Sequence, residues 1–379
     1  TFPTDPEADM PHPLQAAAAV ADLTPRPAEG TFLAGFAPNR RATGVLDPLE
    51  AGALVVEAAG ERLALVTVDS IGLMRDTVQR IREAVTRVPA ERVWVCATHS
   101  HATPDTMGIW GPALLGFLPY KTGDDPAYID YLVTRVAAAV DEAADALGPA
   151  RLRAASFQMD ARWTRNDRTE GGRDDGAVAL SFDTPSGERI ATLLNYASHP
   201  ETLWEKNRLV SADFPGAFRA RLRELTAGVP LFFQGNLGGM LTPNTPPKPS
   251  QDERQRFVTD MGAALAAATM EALKDADEIA ANEIEVRHAE VALPAANWRF
   301  RLMDRVGLLA RPTGPDRIAH TEVNRARLGP VTIATFPGEA LPEVGLAIKA
   351  ALPGEHRLLC CLGCDEIGYV LEPAMFTRK

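Results

Sequence analysis

Three apolar runs in this chain break off into residues that bind protons or metals. Val93-Trp94-Val95-Cys96-Ala97 leads into Thr98-His99-Ser100-His101. Leu193-Leu194-Asn195-Tyr196 leads into Ala197-Ser198-His199-Pro200, and Ile333-Ala334-Thr335-Phe336 leads into Pro337-Gly338-Glu339. Short runs of this composition, bounded by Gly, Pro or Ser, read as buried strands. Ligands of open α/β sheets bind beyond the carboxyl ends of the strands. A chain that ends three strands in this way is constrained to bring those ends together or to leave three unrelated polar loop starts.

Strand and helix signals interleave along the whole chain, the pattern of an α/β fold. Strands are expected at 51–58, 62–69, 152–158, 177–182, 190–196, 230–233, 283–293, 331–336 and 357–361. Helical spacing predicts helices over 76–88, 126–147, 214–225, 251–274 and 340–352. Residues 1–30, rich in Pro and Ala, read as an irregular N-terminal arm, and 31–379 as a single catalytic domain with no internal repeat and no Pro/Ser-rich linker. Two long loops stand out. The loop 109–120 is apolar, carrying Ile109, Trp110, Leu114, Leu115, Phe117, Leu118 and Tyr120, and reads as a loop tucked on the core, a pocket wall or a lipid-facing lip. The loop 234–249 is dense in Gly and Pro.

Composition excludes some classes. With 379 residues, 46% of them hydrophobic, the chain can bury a large core. A formal net charge of −11 argues against general affinity for nucleic acid or anionic membrane, which needs basic patches. No run of about 18 apolar residues is present, so no transmembrane helix is expected. The sequence starts at Thr1 rather than Met, as a mature or trimmed chain would. Its four cysteines, Cys96, Cys360, Cys361 and Cys364, lack the second pair that a structural zinc site needs. They read as buried thiols or one disulfide.

The chemistry centres on His99 and His101. Alternation on an extended strand puts residues i and i+2 on one face. Both imidazoles can then bind a metal, or one can bind while the other moves protons. Two polar residues opening a loop is the plainer alternative. His199, Glu339 and Tyr369 each have an ordinary reading as well: a strand-end histidine, a carboxylate at a helix start, a packed ring. Taken together, His99, His199 and Glu339 form a two-His, one-carboxylate set that leaves an open position on zinc. Zinc lowers the pKa of bound water to about 7.

The motifs resemble those of the neutral/alkaline ceramidases, metal-dependent amidases that cleave the N-acyl bond of ceramide. The resemblance begins at Ala19-Val20-Ala21-Asp22-Leu23-Thr24-Pro25. It continues through Arg41-Ala42-Thr43-Gly44-Val45, Asp47-Pro48-Leu49, the Thr98–His101 signature and Asn195 to Pro200. Leu209-Val210-Ser211-Ala212-Asp213-Phe214-Pro215-Gly216, Phe233-Gln234-Gly235 and Phe336-Pro337-Gly338-Glu339 complete it. It implies mixed β-sheets flanked by helices, like the family's catalytic domain without its C-terminal sandwich domain. It further implies zinc held by His99, His199, Glu339 and Tyr369, with His101 free beside the metal for proton transfer or oxyanion binding. Arg165 is the implied site arginine, with Arg168 the alternative. The resemblance also leans toward a secreted or periplasmic setting. Two departures are visible: Thr242, in Gly239-Met240-Leu241-Thr242-Pro243-Asn244, stands where the family carries a serine, and Ala102-Thr103-Pro104-Asp105 replaces a Gly-rich segment.

The expected function is zinc-dependent hydrolysis of an amide bond in a small-molecule or lipid-like, ceramide-type N-acyl substrate by metal-activated water. His101, Arg165 and Tyr369 are the expected catalytic groups, and the loop 109–120 is expected to touch lipid peripherally. A zinc esterase or lactonase on the same fold, and a non-catalytic metal-bound binding protein, are the competing expectations.

Overall fold

The computed structural model describes residues 14–116, 118–168, 172–294, 301–302, 305–306 and 317–373. It is an α/β arrangement of mixed sheets flanked by helices, as expected from the sequence. The first sheet contains β1 (Gln15–Asp22), β2 (Glu50–Ala58), β3 (Glu61–Val68), β4 (Val93–Ala97) and the two-residue β5 (Gly148–Pro149), in the order β4-β3-β2-β1-β5. The second contains β6 (Arg151–Gln158), β7 (Gly176–Asp183), β8 (Arg189–Tyr196), β9 (Val229–Gln234) and β10 (Glu278–Ile279), in the order β9-β8-β7-β6-β10. The third contains β11 (Glu285–Pro294), β12 (Ile318–Leu328), β13 (Val331–Phe336) and β14 (His356–Cys361) in sequential order.

Each sheet is antiparallel except for one pair at its edge. Strand β3 runs parallel to β4, β8 to β9, and β13 to β14. These three edges face one another: β4, β9 and β14 are in mutual contact. Every residue of β4 is buried, and Leu63 to Val68 of β3 are buried without alternation, as strands covered on both faces must be. The three parallel pairs therefore form the centre of the molecule and point their carboxyl ends the same way.

Helices close the outer faces. Helix α1 (Arg75–Ala84) buries Val78 and Ile81. Helix α2 (Pro126–Asp145) starts with Pro126 at its first position and an Asp125 carboxylate accepting from the Ala127 N–H, a standard start signal. It buries Leu132, Val136, Val140 and Ala143 over β1 and β2. Helix α4 (Gln251–Lys274) begins with a reciprocal Ser250–Glu253 capping box and packs on α3 (Asp213–Leu225). Helix α5 (Pro342–Ala351) covers β14.

The irregular N-terminal arm is corrected in part. Residues 15–22 form β1, an interior strand paired along its length with β2; residues 1–13 lie outside the described part. Its Ala-rich composition hid a strand because small side chains suit a face pressed by α2. Strand β12 also went unread, since its polar residues Arg325, Asn324 and Glu322 mask its alternation. The expected helix 76–88 stops at Ala84.

A buried ion pair joins α1 to the third sheet. Arg82 donates to Glu322 through Nη2–Oε1 at 2.6 Å and Nη1–Oε2 at 2.8 Å, with both side chains nearly inaccessible. Burial pushes the Glu322 pKa up, but the Arg82 hydrogen bonds and charge outweigh it and hold it at about 2, against an ordinary 4.5. Glu322→Gln should lower the unfolding free energy by about 3 kcal/mol near neutral pH, because Arg82 is left buried and unpaired. A carboxylate held low stabilises the fold above its unfolded pKa and loses that stabilisation as pH falls toward its folded pKa. The gap between the two proteins should thus narrow from about pH 4.5 down to about 2 in urea titrations. A gap that stays constant over that window contradicts the assignment.

Candidate metal centre

His99, His101 and His199 are gathered in one buried cluster, with ligand nitrogens all within 4.8 Å of one another. Their ring centroids are 4.9 Å (His99–His101), 5.0 Å (His99–His199) and 5.6 Å (His101–His199) apart. The convergence does not come from alternation on one strand. Strand β4 ends at Ala97, and His99 sits in the left-handed region at φ 73°, a conformation uncommon for a residue with a side chain. The turn is held by Thr98 N–H to Val68 O (2.9 Å), His99 N–H to Ser70 O (2.9 Å) and His101 N–H to Pro200 O (2.9 Å). Thr98 Oγ1 also donates to the buried Asp69.

Gln234, the last residue of β9, ties the histidine segments together. Its Nε2 donates to Thr98 O (2.9 Å) and Ser198 O (2.8 Å). Asn195 does the same between sheets, donating to Phe233 O and Leu359 O at 3.1 Å each. The buried Arg40 donates to the carbonyls of Ala34 and His101.

Protonation follows from these contacts. His99 Nδ1 faces the carbonyl of Ile71, and His199 Nδ1 faces that of Leu241 at 3.0 Å. A carbonyl only accepts, so both Nδ1 atoms carry hydrogen. Both Nε2 atoms then face the Glu339 carboxylate, His199 at 3.0 Å and His99 at 3.6 Å. Lone pairs on two imidazoles and a carboxylate, all buried, need a cation among them. Burial, partly offset by Glu339, pulls the His99 pKa down to about 4. Burial also pulls His199 down, but its hydrogen bond to Glu339 and the charges of Glu201 and Glu339 raise it on balance. Glu339, pushed up by burial, is lowered on balance by His99 and His199. One proton on His199 leaves the His99 lone pair unserved, whereas a metal ion among His99, His199 and Glu339 would serve all three. The donor set fits a metal.

His101 is the odd member. Its ring nitrogens make no hydrogen bond of good geometry. Glu201 Oε2 lies 3.6 Å from Nδ1, and burial, with His99, His199 and Arg40 nearby, drives its pKa well below the ordinary value. Gly35 backs the ring. It has φ +103°, and a Cβ there would come within 2.4 Å of His101 Cγ.

Tyr369 pairs opposite Glu339 in a short parallel ladder. Its hydroxyl lies near Glu339, whose pKa it helps to lower, and donates to Met240 Sδ at 3.4 Å, while the residue as a whole is 43% exposed. Burial of the hydroxyl and the nearby Glu339 charge raise its pKa. Arg165 lies in the strand Thr164–Asn166, opposite Thr242 of Leu241–Pro243. It chelates Asp167 through Nε (2.6 Å) and Nη2 (3.1 Å) and donates to Pro243 O. Arg168 is exposed. Arg165, Thr242 and Glu201 together line a cavity of about 430 Å³, and Arg168 does not; of these wall residues Glu201 lies 3.6 Å from His101.

Two solved structures share this architecture over 95% of the chain. The crystal structure of neutral ceramidase from Pseudomonas aeruginosa superposes with a TM-score of 0.75 at 19% identity, over 69% of that chain. A ceramidase complexed with C2 superposes with a TM-score of 0.74 at 18% identity, over 70% of that chain. The fold is that of neutral ceramidase. No protein-family model and no curated protein matches the sequence.

Within the neutral ceramidase fold, several groups of this site had no role assigned from sequence: Glu201, Gln234, Arg40, Trp204 and Gly35. Only Gln234 lay inside a recognised motif. Glu201 follows His-Pro directly, and a carboxylate so close to a candidate ligand was a usable signal. The four cysteines are free thiols and all are buried. The loop 109–120 divides. Ile109 and Trp110 pack on Ala34, Ile71, Met74 and Met107, beside the carbonyl that orients His99. Leu114, Leu115 and Tyr120 stand out at 60, 83 and 60% exposure. Phe117 lies outside the described residues.

The Gly35–His101 contact is open to a double-mutant cycle. Gly35→Ala should cost about 1–3 kcal/mol of stability through overpacking and strain. In a His101→Ala background, where the ring is gone, the cost should fall measurably below that. Equal costs in the two backgrounds, read from urea midpoints, would show that Gly35 does not seat the ring.

Proposed function

We propose that this chain is a zinc-dependent hydrolase of amide bonds, acting on N-acyl or lipid-like substrates by metal-activated water. The observation that carries the proposal is the pair of Nε2 lone pairs, from His99 and His199, aimed at one buried Glu339 carboxylate. The neutral ceramidase fold supports the choice of amide over other bonds. His99, His199 and Glu339 hold the metal in this reading, with Tyr369 on or beside it. A zinc ion at such a site polarises a carbonyl and acidifies water.

The chain's own groups supply the rest. His101, left free, holds or passes a proton between the attacking water and the leaving amine. Arg165, fixed by Asp167, faces charge that develops in the cavity, and the Tyr369 hydroxyl is a second donor toward it. The exposed apolar tip of Leu114, Leu115 and Tyr120 serves as a peripheral lipid contact. No described helix is long and apolar enough to cross a membrane.

A direct attack by Thr242 is the competing route, and one observation favours it. The buried Thr242 hydroxyl lies near the Glu201 carboxylate, whose pKa it lowers against the effect of burial, and a neighbouring carboxylate is the kind of partner a hydroxyl nucleophile needs. Its branched Cβ crowds the approach. Thr242→Ala is therefore expected to retain most turnover, and intact-mass measurement should find no acyl group on the enzyme. A covalent adduct on Thr242 would establish the competing route.

The two neighbouring histidines should fail differently. His99→Ala is expected to lose zinc and activity together. His101→Ala should keep stoichiometric zinc by elemental analysis yet lose turnover about a hundredfold or more, with melting temperature measured to exclude unfolding. Equal loss of zinc in both variants would make His101 a ligand. A panel of acyl amides and their matched esters and lactones completes the test: preference for esters moves the function to an esterase or lactonase, and no turnover on any member refutes the enzyme reading.

A further inference from the structure

The cavity lined by Glu201 and Thr242 has charged walls. Its walls carry three cations, Arg165, Lys248 and Arg254, against one carboxylate, Glu201, with Trp204 and a proline-rich rim over 243–249. Arg165 is already neutralised by Asp167. Arg254 is not: among the described residues no carboxylate lies within ion-pair distance of it. One arm of its guanidinium donates to Thr202 O at 2.8 Å, and its plane lies over Trp204 with Cζ 5.4 Å from the ring centroid. Trp204 in turn meets Phe36, and Phe36 meets His101, at centroid separations of 5.2 and 5.0 Å. A chain of ring contacts thus links His101 to a guanidinium that has no carboxylate partner among the described residues. Half-buried and set over an indole ring, that guanidinium is pre-organised for a planar anion.

The cavity wall carries both signs. Glu201 lies 3.6 Å from His101. Arg254, which donates to the carbonyl of the next residue, Thr202, and the exposed Lys248 supply positive charge that attracts an anion. A volume of about 430 Å³ accepts a group the size of an amino acid. We infer that the site takes acyl amides that carry a carboxylate, and that this carboxylate pairs with Arg254. The inference rests on the amide-hydrolase reading above and narrows its substrate class from neutral, ceramide-type amides to N-acyl amino acids.

The test is a matched pair: N-dodecanoylglycine and its neutral carboxamide, N-dodecanoylglycinamide. The zinc-loaded wild-type protein should show a kcat/KM at least about tenfold higher on the carboxylate, the scale of a charge-assisted hydrogen bond. Arg254→Met keeps the stem packed on Trp204 and removes the charge. It should lower kcat/KM for the carboxylate about thirtyfold and leave the neutral amide within about threefold, so that the preference disappears. Equal wild-type rates on the two compounds, or an equal loss on both in the variant, overturns the assignment. Calorimetric binding of the same two compounds separates this from failure of the hydrolase reading. If neither is cleaved while another acyl amide of the panel is, the assignment falls and the hydrolase reading stands; if no member of the panel is cleaved, the hydrolase reading falls. Selective binding of the carboxylate that vanishes in Arg254→Met still sustains the seat, and unselective binding refutes it.

Discussion

The centre of this molecule is an electrostatic demand rather than a packing one. Two imidazoles spend their Nδ1 hydrogens on main-chain carbonyls of Ile71 and Leu241. They thereby present bare nitrogens to a carboxylate in a place without solvent. Such a set is stable only around a positive charge, and its cost without one must be met by the surrounding fold. The carbonyls do more than orient the rings. They fix the tautomer, which decides whether each histidine offers a lone pair or a hydrogen to the centre.

That demand explains why three sheets share one edge arrangement. A histidine or glutamate placed by a loop alone would be too mobile to hold such a cluster. Here each ligand candidate follows directly on a strand of a parallel pair: His99 after β4, His199 after β8, Glu339 after β13. Parallel pairs bring strand ends to the same side without a hairpin in the way. Asn195 and Gln234 then lock the ends to one another through four main-chain carbonyls, so that no single loop can drift. The left-handed conformation of His99 fits the same picture, since strain at a site persists where its surroundings over-determine it.

Much of this was legible because strand ends are written in local composition. The runs before His99, His199 and Glu339 are apolar and β-branched, and the break into polar residues is sharp. The strands expected around them match the structure to within one or two residues. What stayed hidden was non-local. Nothing in the Ala-rich stretch 15–22 says that α2 will press on it and make it an interior strand. The left-handed turn at His99 also lay beyond the simple alternation argument, which reached a correct neighbourhood of His99 and His101 through the wrong backbone. Gly35 and Trp204 lie far apart in sequence, and no local pattern foretells that the first backs His101 and the second reaches it through Phe36.

The division between centre and rim sets what can vary. The three histidines and Glu339 sit on strand ends clamped to the core, where a shift of one residue would break several hydrogen bonds. The groups that line the neighbouring cavity sit farther out: Glu201 and Trp204 after the His-Pro turn, Lys248 in the Gly/Pro-rich segment, Thr242 in a three-residue strand and Arg254 in the first turn of α4. Loops tolerate exchange at little cost to the fold. The chemistry is a property of the sheets, and the choice of substrate is a property of what surrounds them. A fold shared with neutral ceramidase constrains the first far more tightly than the second.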